Sequence, residues 1–209
     1  MTQNLVDDYG WDSPEGPQSC NYIAPHILLL LKNYNVKSVL DIGSGNGKLC
    51  SIIASKGYYV VGVEYDANGC SSASKMYPNI PFFNYGVHDN PELLMKHTGE
   101  FDAVVSTEVI EHLFSPHLLP KYAASVLKQG GYLIITTPYH GYLKNLALSI
   151  FNKWDHHHTA LWHGGHIKFW SKSTLTQLLS NNGFKVIQFS GVGRLPLLWK
   201  SMVLVAIKV

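Results

Sequence analysis

The sequence is poor in the features that mark an exported or membrane-spanning chain. It has only three cysteines, Cys20, Cys50 and Cys70, and no C-x-x-C pair. A disulfide framework is therefore not expected, and thiols packed in the core of a cytoplasmic protein fit the odd total. No apolar run approaches the ~20 residues that a bilayer-crossing helix needs. Residues 27–31 are too few, and residues 195–209 are interrupted by Pro196, Lys200 and Lys208. Positions 1–17 carry Asp7, Asp8, Asp12 and Glu15 instead of a basic start and an apolar stretch, so these residues are not expected to be a secretory signal. Charge is scarce and balanced, 14% of residues with a formal net value of +2, and lysines are scattered. No basic stripe for nucleic acid is visible, which favours a small-molecule partner.

What is present is material for one core, since 46% of 209 residues are hydrophobic. Short β-branched runs at 38–42, 59–64, 81–85, 101–106, 132–137, 185–190 and 202–207 alternate with amphipathic stretches. Helices are predicted at 25–34, along the stripe Leu49, Ile52, Ile53 and Lys56 closed by Gly57, and at 118–128. Another carries Leu175, Leu178 and Leu179, with Ser171 or Ser173 as N-cap and Gly183 as stop. Strands apolar on both faces, separated by helices, predict a single-domain doubly wound, Rossmann-like α/β sheet of seven strands. Residues 191–200 leave no room for a crossover helix, so the last strand is expected to be antiparallel in an otherwise parallel sheet. The chain divides into an N-terminal helix and cover (1–35), a core (36–138), an insert (139–170) and a C-terminal helix with a strand pair (171–209). The insert holds His140, His156, His157, His158, His163 and His166 and a helical stretch at 143–151. It exceeds the ~15 residues of an ordinary loop, and reads either as a lid over a site or as a solvated excursion.

The strongest motif follows the first predicted strand. Residues 39–47 read Val-Leu-Asp-Ile-Gly-Ser-Gly-Asn-Gly. Glycines there permit positive φ and close approach of a ligand to the backbone. The second strand ends in Glu64, 21 positions after Gly43, near the ~20-residue offset at which an acid meets ribose hydroxyls. Asp41 has a plainer alternative, bonding to loop amides. A dinucleotide-binding fingerprint would need glycine where Lys48 stands. An NAD-dependent oxidoreductase is therefore the weaker reading, and a catalytically silent nucleoside-binding module is a third.

With Asp41 two residues ahead of it, this turn resembles motif I of the class I S-adenosylmethionine-dependent methyltransferases. Residues 84–89, 101–107 and 127–135 resemble, in the same order, the segments that follow in that family. The resemblance implies S-adenosylmethionine as cofactor and S-adenosylhomocysteine as product. It places Asp41, Gly43, Ser44, Gly45, Asn46 and Gly47 by the methionine portion and Glu64 and Tyr65 at the ribose. Val87 and His88 would flank the adenine, Asp89 would accept from its amino group, and Thr107 would lie beside the methyl. Tyr22 is expected to cover the cofactor.

Past the fourth strand stands Glu108-Val109-Ile110-Glu111-His112-Leu113. On a helix, Glu108, Glu111 and His112 would share one arc. Two carboxylates and an imidazole brought together suit a divalent metal, Mg²⁺ or, with the imidazole, Mn²⁺ or Zn²⁺. Acids in a first helical turn have a simpler account in the helix dipole, and without a metal His112 or a histidine of the insert could be a general base. The E-x-x-E-H pattern resembles that of the ubiquinone-pathway O-methyltransferases and of the small-RNA 3′-terminal methyltransferases, in which these residues are taken as metal ligands. His163 or His166 is the expected fourth ligand, and residues 165–184 resemble the ubiquinone-type segment. Glu111, His112 and His166 are the candidate catalytic residues, with Tyr139, Tyr142, Trp154, Trp162 and Trp170 as walls for an apolar acceptor. The implied reaction is methylation of a small acceptor at a hydroxyl oxygen; nitrogen, carbon or an RNA 3′ end are the alternative acceptors.

Overall fold

Alternation within the strands sets the layers. In β1 (Ser38–Ile42) Val39 packs on one side of the sheet and Leu40 on the other, both fully buried. The same division separates Ala103 and Val105 from Val104 in β4 (Phe101–Thr107), and Val203 and Val205 from Met202 and Leu204 in β7 (Ser201–Lys208). A strand with two apolar faces must be covered twice. α1 (Cys20–Asn33) and α2 (Lys48–Ala54) cover one face; α4 (Pro91–Thr98), α5 (Leu118–Val126) and α8 (Lys172–Ser180) cover the other. The remaining elements are β2 (Tyr59–Val63), α3 (Ala67–Met76), β3 (Phe82–Phe83), β5 (Leu127–Pro138), α6 (Tyr142–Ile150), α7 (Trp154–His158) and β6 (Phe184–Val192). The computed structural model describes residues 15–158 and 164–209. Asp7, Asp8, Asp12, Trp162 and His163 lie outside the described residues, as does the side chain of His156.

The seven strands form one sheet in the order β3-β2-β1-β4-β5-β7-β6. β7 is antiparallel to both β5 and β6, between which it lies, and the other neighbouring pairs are parallel. This is the expected Rossmann-like class. The order reverses between β1 and β4, which opens a crevice at their carboxyl ends. Among the described residues no helix is long and apolar enough to cross a membrane.

Helix α1 starts earlier than predicted. Pro25 suggests a first helical position, yet the helix begins at Cys20 and keeps the proline inside. An internal proline costs ~3 kcal/mol. The extension buries Ile23 and Ala24 beside Ile27, Leu30 and Leu31, and a buried Ile or Leu returns about 1.5–3 kcal/mol. At α8, Ser171 is the cap and makes a capping box with Thr174.

Asp102 ties the sheet at the end remote from the crevice. Its Oδ2 accepts from the backbone N–H groups of Lys37 and Ser38, each at 2.9 Å, and its Oδ1 meets Lys128 Nζ at 2.6 Å. Burial works against the charge, but Lys128 and the two amides hold the carboxyl down at about 2. Asp102→Ala is expected to cost about 1–2 kcal/mol in urea unfolding at neutral pH. Because the folded value is depressed, the contribution is full above the ordinary 3.8 and lost as pH falls toward 2. An unchanged unfolding midpoint at neutral pH would refute it.

Candidate functional site

The glycine turn is shaped by its backbone. Gly43, Gly45 and Gly47 all have positive φ, 78°, 53° and 77°. At Gly43 an added Cβ would stand 2.4 Å from Val109 Cγ2. Gly45 donates its N–H to Glu64 Oε2 at 2.7 Å, and Asp66 N–H donates to Glu64 Oε1 at 2.9 Å. The acid at the end of β2 thus braces the turn after β1. Each carboxylate oxygen retains a second lone pair for a hydroxyl.

Beside this turn is a cavity of about 700 Å³. Asp41, Gly43, Ser44, Asn46, Glu64, Tyr65, Val87, His88 and Thr107 line it, while Gly45 and Gly47 shape the turn without lining it. Ser44 Oγ and Asp41 Oδ1 are buried there without hydrogen-bond partners among the described residues. Asp41 Oδ2 accepts from the Cys50 thiol at 3.3 Å, not from loop amides. Burial pushes the Asp41 carboxyl up to about 7, with the Cys50 bond opposing and the Glu64 charge assisting. Orphaned polar atoms facing a glycine cradle are what a polar nucleoside cofactor would satisfy.

Two assignments around this cavity change. Tyr22 does not line it: its ring lines a second cavity, with its hydroxyl 3.4 Å from Ser201 Oγ. Glu15, Pro17, Ser19 and Cys20, at and before the start of α1, line the first cavity instead. Asp89 turns away and accepts the Gly86 N–H at 2.7 Å, closing its own loop.

The segment after β4 is not a helix. Residues 108–117 form turns and bends, and Glu108 takes a left-handed φ of 54°. Glu108 is therefore not grouped with Glu111 and His112 as a ligand, although its charge still helps raise the Glu111 carboxyl. Its Oε1 accepts from Thr136 Oγ1 at 2.8 Å. The metal-type group is Glu111, His112 and His166, whose ligand atoms lie within 4.8 Å of one another. His166 arrives because Ile167 and Lys168 donate to the Glu111 carbonyl, both at 3.0 Å, and Trp170 Nε1 donates to the Ile110 carbonyl at 3.4 Å. Glu111 is fully buried, with Oε2 bonded to Thr137 and Oε1 without a partner among the described residues. Burial raises the Glu111 and Glu108 carboxyls. Burial lowers the His112 imidazole against hydrogen bonds to the backbone of Gly165 and Gly164, and lowers His166 to about 4.

The second cavity, about 530 Å³, is lined from the segment between β5 and α8 by Lys144, Ala147, Leu148, Phe151, Lys153, His157 and His166, and from the β6–β7 connection by Arg194, Leu198 and Lys200. The expected aromatic walls are elsewhere. Tyr139 packs edge-on to Trp199, Trp170 is tied to Ile110, Tyr142 is exposed, and Trp154 lies against His158. Several histidines of the insert pack on one another, His140 on His158 at 5.7 Å and both against Phe169. Glu108 lines both cavities, and His112 lines the first as His166 lines the second.

A family model described as a methyltransferase domain matches residues 18–189. The ubiquinone biosynthesis O-methyltransferase of Coxiella burnetii (strain Dugway 5J108-111) is 30% identical over 173 residues, covering 77% of this chain and 69% of that protein. The magnesium protoporphyrin IX methyltransferase of Synechocystis PCC 6803, solved with bound SAH, is similar with a TM-score of 0.66 at 18% identity, over 90% of this chain and 82% of that one. The 1,6-didemethyltoxoflavin-N1-methyltransferase of Burkholderia thailandensis gives 0.64 at 16% identity, over 89% and 76%. The solved structures share the fold.

Proposed function

Because the chain belongs to the S-adenosylmethionine-dependent methyltransferases, we propose that it moves the methyl group to a hydroxyl oxygen of a small acceptor, with the cofactor in the first cavity and the acceptor in the second. The observation that carries this reading is Glu108, the residue shared by both linings. Bound S-adenosylmethionine supplies an already activated methyl, so the protein's work is alignment, exclusion of water and removal of the acceptor's proton. The turn at 43–47 and Ser44 would hold the methionine portion, Glu64 the ribose, and Tyr65, Val87 and His88 the adenine. Helix α6 with Phe151, Lys153 and His157, which line the second cavity, would wall the acceptor. Glu108, positioned by Thr136, is the group placed to take the hydroxyl proton.

Glu111, His112 and His166 offer one carboxylate and two imidazoles, and Glu111 Oε1, without a partner among the described residues, fits a divalent cation. Held there, such an ion would lower the pKa of a nearby hydroxyl. Glu111→Gln is expected to weaken Mn²⁺ binding about tenfold or more, read by calorimetry on the protein loaded with S-adenosylhomocysteine. Equal affinity in variant and native protein would reject the metal.

The test of the reaction is the site of the label. Incubation with isotopically methyl-labelled S-adenosylmethionine and parallel sets of hydroxylated and amino acceptors is expected to put the methyl on oxygen, with equimolar S-adenosylhomocysteine. A methyl on nitrogen or carbon would overturn the hydroxyl assignment.

A further inference from the structure

The second cavity has an uneven charge. Lys144, Lys153, Arg194 and Lys200 line it, and among the described residues Glu108 is the one carboxylate in that lining. Arg194 is the only arginine in the sequence. Among the described residues the one ion pair joins Lys128 to Asp102, so none of the four cations has a carboxylate partner there.

Lys144 is the informative one, because it is buried, with 7% of its surface exposed. Its ammonium donates to the Tyr139 carbonyl at 2.8 Å. That bond uses one of three donors. Lysine is rarely buried without a counter-charge, since desolvating an unpaired cation is costly. Burial and the Arg194 charge lower Lys144 to about 8 against the opposing pull of Glu108, the cavity's single carboxylate set against four cations, which leaves it mostly cationic at neutral pH. Ala147, Leu148, Phe151 and Leu198 supply apolar wall beside these charges.

Resting on the placement of the acceptor in this cavity, we infer that the acceptor is an amphiphilic anion. Its phosphate or carboxylate group is met by Lys144 and Arg194, and its apolar body lies on α6. The guanidinium matches either oxyanion with two parallel hydrogen bonds. Lys153 and Lys200, at the exposed rim, add attraction that salt screens.

The test titrates the protein loaded with S-adenosylhomocysteine, by calorimetry, with inorganic phosphate and with benzoate. Saturable binding of at least one is expected, weakened about tenfold or more in the double variant Lys153→Gln/Arg194→Gln and reduced by added salt. Both side chains are exposed, so the variant should fold, and its affinity for S-adenosylhomocysteine should hold within about twofold, since the cofactor residues are elsewhere. Tighter binding of phosphate assigns a phosphorylated acceptor, tighter binding of benzoate a carboxylated one. No saturable binding of either anion, or equal affinity in the double variant, would overturn the inference. In turnover assays, a neutral hydroxylated acceptor used as well as its anionic analogue would also overturn it while leaving oxygen transfer intact. An anionic acceptor methylated at nitrogen would do the reverse.

Discussion

Gly43→Val is expected to weaken S-adenosylmethionine binding by about a hundredfold or more, equivalent to about 3 kcal/mol. Two costs combine at this position. The backbone holds φ at 78°, which charges any side chain ~1–2 kcal/mol and a β-branched one more. The new Cβ would also be driven against Val109 Cγ2 at 2.4 Å, so the turn after β1 or the turn after β4 must move, and both border the first cavity. Gly130→Val separates the two effects. It has a similar φ of 73° but nothing within 4 Å of its added Cβ, and it should lower stability while leaving affinity unchanged. Calorimetry with S-adenosylhomocysteine on both variants decides. If Gly43→Val binds as tightly as native protein, the first cavity is not the cofactor site.

The periodic features of this chain were legible because periodicity is a local consequence of packing. Strands buried on both faces, such as 38–42 and 202–207, announce themselves as apolar runs, and the short 191–200 connection implies the antiparallel partner without any structure. The turn at 43–47 and Glu64 were legible because strained backbone and a strand-end acid recur at fixed offsets. What was not legible depends on single dihedrals and on loops meeting over long separations. The pattern Glu108, Glu111 and His112 reads as one helical arc, and one left-handed φ at Glu108 breaks it. His166 was named as a ligand from residue type alone. What brings it to Glu111 is a pair of backbone bonds across more than fifty residues, for which no spacing rule exists. The cationic cavity is not legible for the same reason: Lys144 and Arg194 belong to different connections, and lysines scattered in sequence become a cluster only where those connections line one cavity. Tyr22 lines the second cavity and not the first because α1 starts at Cys20 rather than Pro25, which leaves residues 15–20 to line the first.

Glu108→Gln is expected to lower turnover about a hundred- to ten-thousandfold while keeping affinity for S-adenosylhomocysteine within about twofold. The substitution keeps the shape: an amide oxygen still accepts from Thr136 Oγ1, which holds Oε1 at 2.8 Å in the native protein. The N–H of Glu108 still donates to the Thr136 carbonyl at 3.1 Å, so the left-handed turn that aims the side chain is kept. What disappears is the capacity to take a proton at the junction of the two cavities. A left-handed conformation at a residue other than glycine is costly, and here it is maintained by backbone and side-chain bonds to Thr136, with Ser201 also bonding the carboxylate. Thr136→Val should therefore act through Glu108, lowering kcat by a smaller factor, about tenfold, with KM for the cofactor unchanged. Single-turnover measurement of S-adenosylhomocysteine formation, in quenched enzyme saturated with acceptor, isolates the transfer step. Native rates in Glu108→Gln would mean that the proton leaves by another route, and the shared carboxylate would then join the cavities without serving the reaction between them.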